Sequence, residues 1–378
     1  MFKEGIFYVV YLPPPPAIEA IHQQLQGIPL VCLMANYNKK ETIEKAIRSV
    51  LMQQADFPFK LIVTDDHSTD GSYEIAVELA KQNPEKIIVI RSAKNEGYLA
   101  RTLEGYGFLK GVKYFCFLDS DDWYLYPKKF SDAFYFLESH PNYVGYFANY
   151  FVLTPDSSLD EKTLLRFDLQ HPKHLDFDWE DYKKGKGIWV QTTGSIFRNV
   201  YFQNDVPQRL LDFAKRKDGR AFEGDGFRVP WHVKAGRVYF VNRKESVYNY
   251  DKKGLWSKLT EIQQQESGIR GGFAFAEFFG EKDADYFYKG AQSAFENLLS
   301  LLQQNPEQIP EYEAFLKDAF SKIYLNPQYN AVKPTCPNEL FPFVFWAANK
   351  ALFLLRSKLI IRTRLNKLLL SIKEHFPR

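Results

Sequence analysis

The most concentrated chemistry in this sequence is a group of three carboxylates within residues 117–123, which read FLDSDDW. Asp119, Asp121 and Asp122 follow an apolar run over residues 114–118 that is typical of a buried strand. Carboxylates this close repel one another unless they are solvated, partly protonated or bridged by a cation. A hard divalent ion, Mg²⁺ or Mn²⁺, is the natural partner, and such an ion usually also binds phosphate oxygens. The alternative is a solvated acidic turn that caps the next helix.

Two other predicted strands also end in polar side chains. Asp65 and Asp66 end the second strand, and Asn36 and Tyr37 end the first. A strand-end Asp can accept a hydrogen bond from a base imide or a ribose hydroxyl, and an aromatic ring can stack on a nucleobase. The alternative for the two aspartates is a turn and helix-cap cluster, since Ser, Thr, Asp and Gly follow them.

The elements that must position these groups alternate regularly along the chain. Apolar runs of strand length occupy residues 30–35, 59–64, 87–91 and 114–118, and helical patterns occupy residues 40–54, 68–82 and 99–111. This alternation predicts an α/β fold with a doubly wound, mostly parallel, Rossmann-like sheet. The carboxyl ends of such strands share one edge, so we expect the three polar clusters to meet there.

The pattern changes after residue 125. We predict a helix over residues 128–139, a strand over 143–153, a polar insertion over 154–187, a strand over 188–198, two strands over 238–250 and helices from residue 258 onward. The first 28 residues are predicted to be an extension with a polyproline spacer at residues 13–16, followed by a short helix.

Composition narrows the class of protein. The 378 residues are 45% hydrophobic with a formal net charge of only +3, which argues against a chain built to bind nucleic acid. Three widely spaced cysteines, Cys32, Cys116 and Cys336, fit neither a disulfide framework nor a zinc site and favour a reducing compartment. No apolar run approaches the ~20 residues of a spanning helix, and no signal peptide is recognisable. A cytoplasmic location is therefore expected.

The strand-end motifs together carry a resemblance. Residues 29–51, the Asp65-Asp66 segment, Asn95-Glu96-Gly97 and residues 118–122 resemble a family 2 glycosyltransferase with the GT-A fold, over about residues 29–257. The resemblance implies transfer of a sugar from a nucleotide-diphosphate donor, expected to be a UDP-sugar, to a hydroxyl of a glycan or lipid-linked glycan. Stereochemistry in this family implies a single displacement with inversion.

The resemblance also implies a domain plan and a donor site. It divides the chain into the extension (1–28), the GT-A domain (29–257) with nucleotide-binding (29–125) and acceptor (126–257) halves, and a helical C-terminal region with a basic tail (258–378). Tyr37 would lie against the base and Asp66 would hold it. The implied donor-binding set is Ala35, Tyr37, Asp65, Asp66, Asn95, Gly97, Arg101, Asp119, Ser120 and Asp121. Asp121 and Asp122 would bind Mn²⁺ or Mg²⁺, with Asp251 at a position where relatives often have His.

The acceptor half resembles the family through residues 191–198 and 221–228. Asp225 corresponds best to the catalytic base and Glu223 is the second choice, because Gly224 separates two acids that are adjacent in many members. The alternative is a Gly-rich polar loop without a catalytic role. The acceptor would bind beside Gly194, Ser195 and Trp231.

The last 38 residues form a basic tail, residues 341–378, with eight basic side chains and only Glu374 as an acid. Two hypotheses stay open for its apolar stripe and its cations. One is attachment to the cytoplasmic face of an anionic inner membrane, which would suit a lipid-linked acceptor. The other is packing on the domain or on a second subunit in a homo-oligomer.

Two other functions remain as alternatives. A sugar nucleotidyltransferase also uses carboxylates on an α/β sheet, but it would usually have a Gly-rich basic loop after the first strand, where this chain has Asn36-Tyr37-Asn38-Lys39-Lys40. A catalytically inactive glycan-binding subunit is the other, and carboxylates at all three positions argue against it.

Overall fold

The structure, a computed structural model, describes residues 15–154, 164–165, 174–251 and 254–324. The start of the predicted spacer and the whole basic tail lie outside these residues. The chain divides into two compact units, Met1–Lys258 and Leu259–Arg378. Across the described ranges, every helix is too short or too polar to cross a bilayer.

The first unit contains all of the described strands. In chain order they are β1 (Leu30–Asn36), β2 (Phe59–Asp65), β3 (Ile87–Arg91), β4 (Tyr114–Phe117), β5 (Trp123–Tyr124), β6 (Tyr143–Leu153), β7 (Leu164–Leu165), β8 (His174–Phe177), β9 (Ser195–Arg198) and β10 (Arg237–Asn249).

Helices surround this sheet and build the second unit. In the first unit they are α1 (Pro15–Gln24), α2 (Ile43–Leu51), α3 (Ser72–Gln82), α4 (Tyr98–Phe108), α5 (Lys129–Ser139), α6 (Trp179–Lys183), α7 (Gln208–Ala214) and α8 (Asp225–Val233); in the second they are α9 (Glu261–Phe279), α10 (Glu281–Gln304) and α11 (Ile309–Tyr324). Pro15 and Pro16, which were predicted to belong to the polyproline spacer, instead begin α1. The first turn of a helix accepts proline.

The sheet confirms the predicted α/β class. Its strand order is β3-β2-β1-β4-β9-β6-β10-β5, with parallel pairing from β3 to β4. Strands β1, β2 and β4 are almost wholly apolar and buried, as a sheet covered on both faces requires. Beyond β4 the sheet is mixed, because β9 runs antiparallel to both β4 and β6 whereas β6 and β10 are parallel.

Three predictions for the second half of this unit were wrong in detail. Residues 188–198 form a strand only at β9, since a 3₁₀ turn at Thr192–Gly194 precedes it. Residues 238–249 belong to the single strand β10 and not to two strands. Shifts in its register against β6 interrupt the alternation of apolar and polar residues, and in the sequence this interruption resembles a turn. The predicted polar insertion folds in part, because β8 pairs with β10 and the Asp178 carboxylate caps α6.

A buried ion pair joins α5 to β10. Lys129 Nζ lies 3.2 Å from Glu245 Oε2, and both side chains are fully buried. The other oxygen of Glu245 accepts hydrogen bonds from the Tyr146 hydroxyl at 3.0 Å and from the Arg243 guanidinium at 2.6 Å. Glu245 therefore has its charge compensated from two elements and fixes the path of β10 a few residues before its end.

The second unit is built on the helix pair α9 and α10. Thr260 and Gln263 form a capping box that starts α9. At Gly272 the two helices approach so closely that a Cβ atom would lie 2.8 Å from the Ala291 Cβ atom, so only glycine fits. The core between the helices and α11 is formed by Ile269, Phe295, Leu298, Leu299, Leu302, Leu316 and Ala319.

The Lys129–Glu245 pair gives the first testable prediction. Lys129→Met should lower the free energy of unfolding by up to about 3–5 kcal/mol, because the buried Glu245 carboxylate loses one of its two cations and keeps the Arg243 guanidinium. Arg48→Met is the control, since it removes an exposed partner of Glu44 and should cost about 0.5 kcal/mol or less. Urea denaturation of the full chain measures both variants. Equal losses would show that the buried pair does not stabilise the unit.

Candidate active site

The ends of the parallel strands bring the predicted polar clusters to one edge of the sheet. In the register, Asn36 at the end of β1 is opposite Asp65 at the end of β2, and Asp65 is opposite Arg91 at the end of β3. Strand β4 pairs with the other side of β1 and leads directly into residues 118–122. The convergence that the strand pattern predicted is therefore present.

Asp65 organises the connection between β2 and α3. Its carboxylate accepts hydrogen bonds from Asn36 Nδ2 at 2.7 Å and from the Ser68 amide at 2.9 Å, and the side chain is fully buried. Arg91 Nε lies 3.6 Å away. These contacts match the turn-cluster interpretation for Asp65, and its predicted contact with a donor stays a prediction.

Asp66 fixes the loop that follows β3. One of its oxygens accepts from the Glu96 amide at 2.9 Å and from the Ser92 hydroxyl at 3.3 Å, and the other accepts from the Gly97 amide at 2.8 Å. Gly97 has a φ of 91°, which favours glycine at this turn. Arg101 Nε lies 3.4 Å from the carboxylate. Asp66 therefore holds the loop that follows β3, and its predicted contact with a base stays a prediction.

Arg101 is a buried cation shared among three acids. Besides Asp66, its guanidinium forms ion pairs with Glu96 and, at 2.5 Å, with Glu104. Burial raises the pKa of Glu104 to about 7, although the Arg101 charge acts to lower it. Sequence reasoning predicted Arg101 as a site residue but missed Glu104. The available signal was its position three residues after Arg101 on the predicted helix, a spacing at which side chains of opposite charge can pair.

The other predicted donor residues differ in exposure. Tyr37 is 48% exposed, so its ring is accessible for stacking. Asn95 is exposed and Ala35 is partly buried at the end of β1. The Ser120 side chain is buried, and its carbonyl accepts a hydrogen bond from the Thr42 hydroxyl at 2.9 Å.

Of the three clustered aspartates, Asp122 is buried, and Asp119 and Asp121 are partly buried. Asp119 accepts a hydrogen bond from the Tyr98 hydroxyl at 2.9 Å, and burial, reinforced by the charge of Asp121, raises its pKa to about 6. Asp122 accepts from the Asn249 amide at 2.9 Å, while its Oδ2 atom finds no hydrogen-bond partner among the described residues. Burial, together with Asp121 and Asp119, raises the pKa of Asp122 well above its usual value.

Asp121 and Asp251 approach a common cation, the ammonium of Lys39. Lys39 Nζ lies 2.5 Å from Asp121 Oδ2 and 3.5 Å from Asp251 Oδ2. Burial acts to lower the pKa of Lys39, but the two carboxylates outweigh it and the pKa is raised, so the side chain stays charged. Asp121 and Asp251 thus share one cation, and their predicted role as metal ligands stays a prediction. Lys39 is a residue that sequence reasoning did not assign.

The donor set at this place fits a divalent ion. Mg²⁺ is usually held by one or two carboxylates together with substrate phosphates, and Asp121 and Asp251 supply two carboxylates that already face a cation. The unpaired Oδ2 atom of buried Asp122 is a further oxygen in the same cluster. Within the described ranges, no group of three His, Cys, Asp or Glu side chains is arranged to hold a metal by itself.

Asp225 and Glu223 lie in different surroundings although they are two residues apart. Asp225 begins α8, its carboxylate accepts a hydrogen bond from the Thr192 amide at 3.1 Å, and its charge acts on Asp119 and Tyr98. Glu223 instead pairs with Arg220 at 3.3 Å, and burial raises its pKa. Asp225 is therefore the acid that joins the aspartate cluster.

Arg228 is a second cation that sequence reasoning missed. Its fully buried guanidinium lies over the Phe117 ring at 3.8 Å, and its Nε donates to the Tyr106 hydroxyl at 3.1 Å. Its positive charge acts on Asp119 and, three residues earlier on α8, on Asp225. The signal in the sequence was an arginine one helical turn after the candidate base.

The three predicted acceptor residues are all buried in the structure. Gly194 is buried, and a Cβ atom there would lie 2.9 Å from the Ala148 carbonyl oxygen. Ser195 is buried and donates to the Thr192 carbonyl at 3.1 Å. Trp231 stacks on Tyr201 with a centroid distance of 4.1 Å and is 6% exposed. These residues are packed in the interior of the first unit, and direct contact with an acceptor stays a prediction.

The Asp66 contacts give the second testable prediction. Asp66→Asn should speed hydrogen exchange at the Glu96 and Gly97 amides roughly 10- to 100-fold, because a charged acceptor of both amides is replaced by a neutral group. Asp178→Asn, which alters the cap of α6, should leave these two amides unchanged. Hydrogen exchange of the ligand-free chain measures both variants. Unchanged exchange in Asp66→Asn would mean that other contacts hold this loop.

Comparison with known proteins matches part of this chain to a transferase family. Residues 32–193 match the family model described as glycosyl transferase family 2. An uncharacterized protein of Mycobacterium tuberculosis is 23% identical over 221 residues, which are 58% of this chain and 58% of that protein. The dTDP-rhamnosyl transferase RfbG of Shigella flexneri is 32% identical over 97 residues, 24% of this chain and 32% of that protein. The chain therefore spans little more than half the length of the mycobacterial relative.

Solved structures extend the likeness of the fold. S. aureus TarS 1-349, crystallised in complex with UDP, has a TM-score of 0.52 and 13% identity, covering 79% of this chain and 81% of that chain. The same protein in complex with UDP-GlcNAc has a TM-score of 0.53 at 15% identity, covering 78% of this chain and 82% of that chain. The matched family segment contains the strand-end aspartates, and the likeness to TarS extends beyond it. Residues 32–193 of this chain therefore resemble glycosyltransferase family 2, and the likeness to TarS concerns the fold.

Proposed function

We propose that this protein transfers a sugar from a nucleotide-diphosphate donor, a UDP-sugar, to a hydroxyl of a carbohydrate acceptor with inversion at the anomeric carbon. The observation that carries the proposal is the place of Asp225 at the first position of α8, where its carboxylate accepts a hydrogen bond from the Thr192 amide at 3.1 Å and its charge acts on Asp119. An acid from the acceptor half thereby joins the strand-end cluster of the family 2 domain.

The donor side of the proposal depends on the first three strand ends. Exposed Tyr37 offers a ring for the base, and Asp66 holds the Glu96 and Gly97 amides that shape the adjoining wall. UDP is the nucleotide we propose because the TarS structures with a similar fold contain UDP or UDP-GlcNAc. The individual donor contacts belong to the proposal.

We further propose that Asp121 and Asp251 hold Mn²⁺ or Mg²⁺, with Asp122 beside them. Such an ion would neutralise charge on the departing diphosphate. The hydrogen bond from the Asn249 amide positions Asp122, and the Gly254 amide positions Asp251 with a hydrogen bond of 3.2 Å.

Acceptor activation is assigned to Asp225. Its carboxylate would take the proton of the acceptor hydroxyl while that oxygen forms a bond to the anomeric carbon and the bond to the diphosphate breaks on the opposite face. The Thr192 amide holds this carboxylate with a hydrogen bond of 3.1 Å, and Arg228 lies one helical turn further along α8. A single base without a nucleophile of the protein gives inversion.

The two alternative functions have less support. A nucleotidyltransferase would need a Gly-rich phosphate loop after β1. Residues 36–40, which follow β1 here, contain no glycine. Lys39 of this segment forms an ion pair with Asp121. An inactive glycan-binding subunit would not need Asp225 to lie near Asp119. Transfer measurements on variants at Asp225 separate the last alternative from an enzyme.

The acceptor class and the location rest on the basic tail, residues 341–378. We propose a glycan acceptor that is lipid-linked, with the protein held at the cytoplasmic face of an anionic membrane by this tail. Packing of the same stripe on a second subunit is the competing hypothesis.

Asp225→Asn gives the third testable prediction. It should lower the transfer rate about 10²- to 10⁴-fold, the usual contribution of a general base, and leave UDP binding nearly unchanged. A transfer assay with a panel of UDP-sugars, with and without EDTA, measures the first effect, and calorimetry with UDP measures the second.

Glu223→Gln is the matched control for Asp225→Asn, since Glu223 pairs with Arg220 away from the aspartates. It should retain most of the wild-type rate. A large loss in Glu223→Gln with a normal Asp225→Asn would move the base two residues upstream. Normal rates in both variants would remove this segment from the chemistry, and undiminished wild-type transfer in EDTA would remove the metal from the proposal.

The tail gives the fourth testable prediction. Deleting residues 341–378 should reduce binding to vesicles that contain anionic lipid, because each Lys or Arg near such a surface contributes about 1 kcal/mol. Co-sedimentation at low and high salt measures the effect, and neutral vesicles are the control. Unchanged sedimentation together with a change in oligomeric state would instead identify the tail as a subunit contact.

A further inference from the structure

The ammonium of Lys39 contacts the two carboxylates, Asp121 and Asp251, that are proposed to hold the metal. Lys39 lies between β1 and α2, and its ammonium contacts one oxygen of Asp121 and one oxygen of Asp251. The side chains of all three residues remain between 16% and 25% exposed, so the cation is accessible from solvent. Nothing in the resemblance to the family assigns a role to this lysine.

We propose that Lys39 is a counter-ion of Asp121 and Asp251, which a divalent ion must displace from these two carboxylates in order to bind. The inference rests on the proposed function, because it assumes that these two carboxylates are metal ligands. It goes beyond that function by making metal affinity depend on a residue that is not itself a ligand.

Charge explains why the position needs an occupant. Asp119, Asp121, Asp122 and Asp225 act on one another or on common neighbours, so an uncompensated cluster would be self-repelling. The ammonium of Lys39 compensates Asp121 of this cluster together with Asp251. A lysine suits this purpose because its flexible four-carbon stem lets the charge move without disturbing the backbone.

Displacement also couples the metal to the donor. A divalent ion held by Asp121 and Asp251 would break both ion pairs of Lys39. The ammonium would then lose these two partners, and this loss makes binding of the metal alone unfavourable. A nucleoside diphosphate brings further oxygen ligands for the ion and negative charge for the released ammonium. The geometry therefore predicts weak metal binding to the free protein and stronger binding together with the diphosphate.

Lys45 provides a matched control on the neighbouring helix. Its ammonium lies 3.5 Å from the centroid of the Trp123 ring, and no ion pair to the Asp121 or Asp251 carboxylates is formed by it within the described residues. Removing its charge changes the net charge of the protein as much as removing the charge of Lys39. It therefore separates the specific contact from a general electrostatic effect.

The test is a titration of the full chain with Mn²⁺, followed by electron paramagnetic resonance, without nucleotide and with UDP. Lys39→Met should tighten Mn²⁺ binding without nucleotide roughly 10- to 100-fold, because two charge-assisted contacts no longer compete with the ion. UDP should then improve Mn²⁺ binding less than it does in the wild type. Lys39→Arg, which keeps the charge, and Lys45→Met should both bind Mn²⁺ as the wild type does.

The outcomes separate this inference from the proposed function. Equal or weaker Mn²⁺ binding by Lys39→Met, with normal binding by the wild type, overturns the counter-ion role and leaves the metal site standing. Failure of wild type and Lys39→Met to bind Mn²⁺ even with UDP removes the metal site, and the inference with it. Should Lys39→Met fail to fold by circular dichroism, Lys39→Gln replaces it under the same two criteria.

Discussion

The structure depends on how it compensates negative charge at one edge of its sheet. Parallel strands and the start of α8 direct Asp119, Asp121, Asp122 and Asp225 to the same place, where repulsion and burial both disfavour ionised carboxylates. Hydrogen bonds from Tyr98, Asn249 and Thr192 offset part of this cost. Lys39 and Arg228 supply the positive charge, and each stands beside different members of the cluster.

The edge has two parts that are compensated in different ways. Around Asp66 the cation is Arg101, a buried guanidinium with a rigid geometry that holds three acids and so stabilises a fixed pocket wall. Around Asp121 the cation is a partly exposed lysine that can leave. Under the proposed function, this difference would suit a preformed wall for the base and a diphosphate end whose charge changes with each ligand.

Long-range packing makes the second half of the site. Asn249 reaches Asp122, and Asp251 reaches Lys39, because β10 runs beside β6 and is fixed by Glu245 to Lys129 on α5. A loss of the Lys129–Glu245 pair would therefore be expected to loosen the end of β10 as well as the fold. In the same way, the start of α8 at Asp225 directs that residue toward Asp119, whereas Glu223, which precedes the helix, faces Arg220.

Much of the part of the site formed by β1, β2 and β4 could be predicted from the sequence. Buried parallel strands are continuous apolar runs, and the ends of β1, β2 and β4 follow from where those runs stop, so the meeting of Asn36, Asp65 and residues 118–122 was predictable. The family resemblance added Asp225 as the base and Asp251 as a neighbour of the metal. Strand β3 was also predicted with its observed bounds, Ile87–Arg91.

The sequence by itself thus determined the fold class, the sheet edge and the identity of the acidic residues, because these depend on local patterns. Only the tertiary structure decided which cations meet them. Lys39 lies 212 residues before Asp251, and Arg228 acts on Asp119 from another element, so neither pairing leaves a periodic signal. The same holds for β10, whose bulges follow from pairing with β6 and resemble a turn when the chain is read alone. Contacts between distant segments depend on packing, and packing is a property of the folded chain.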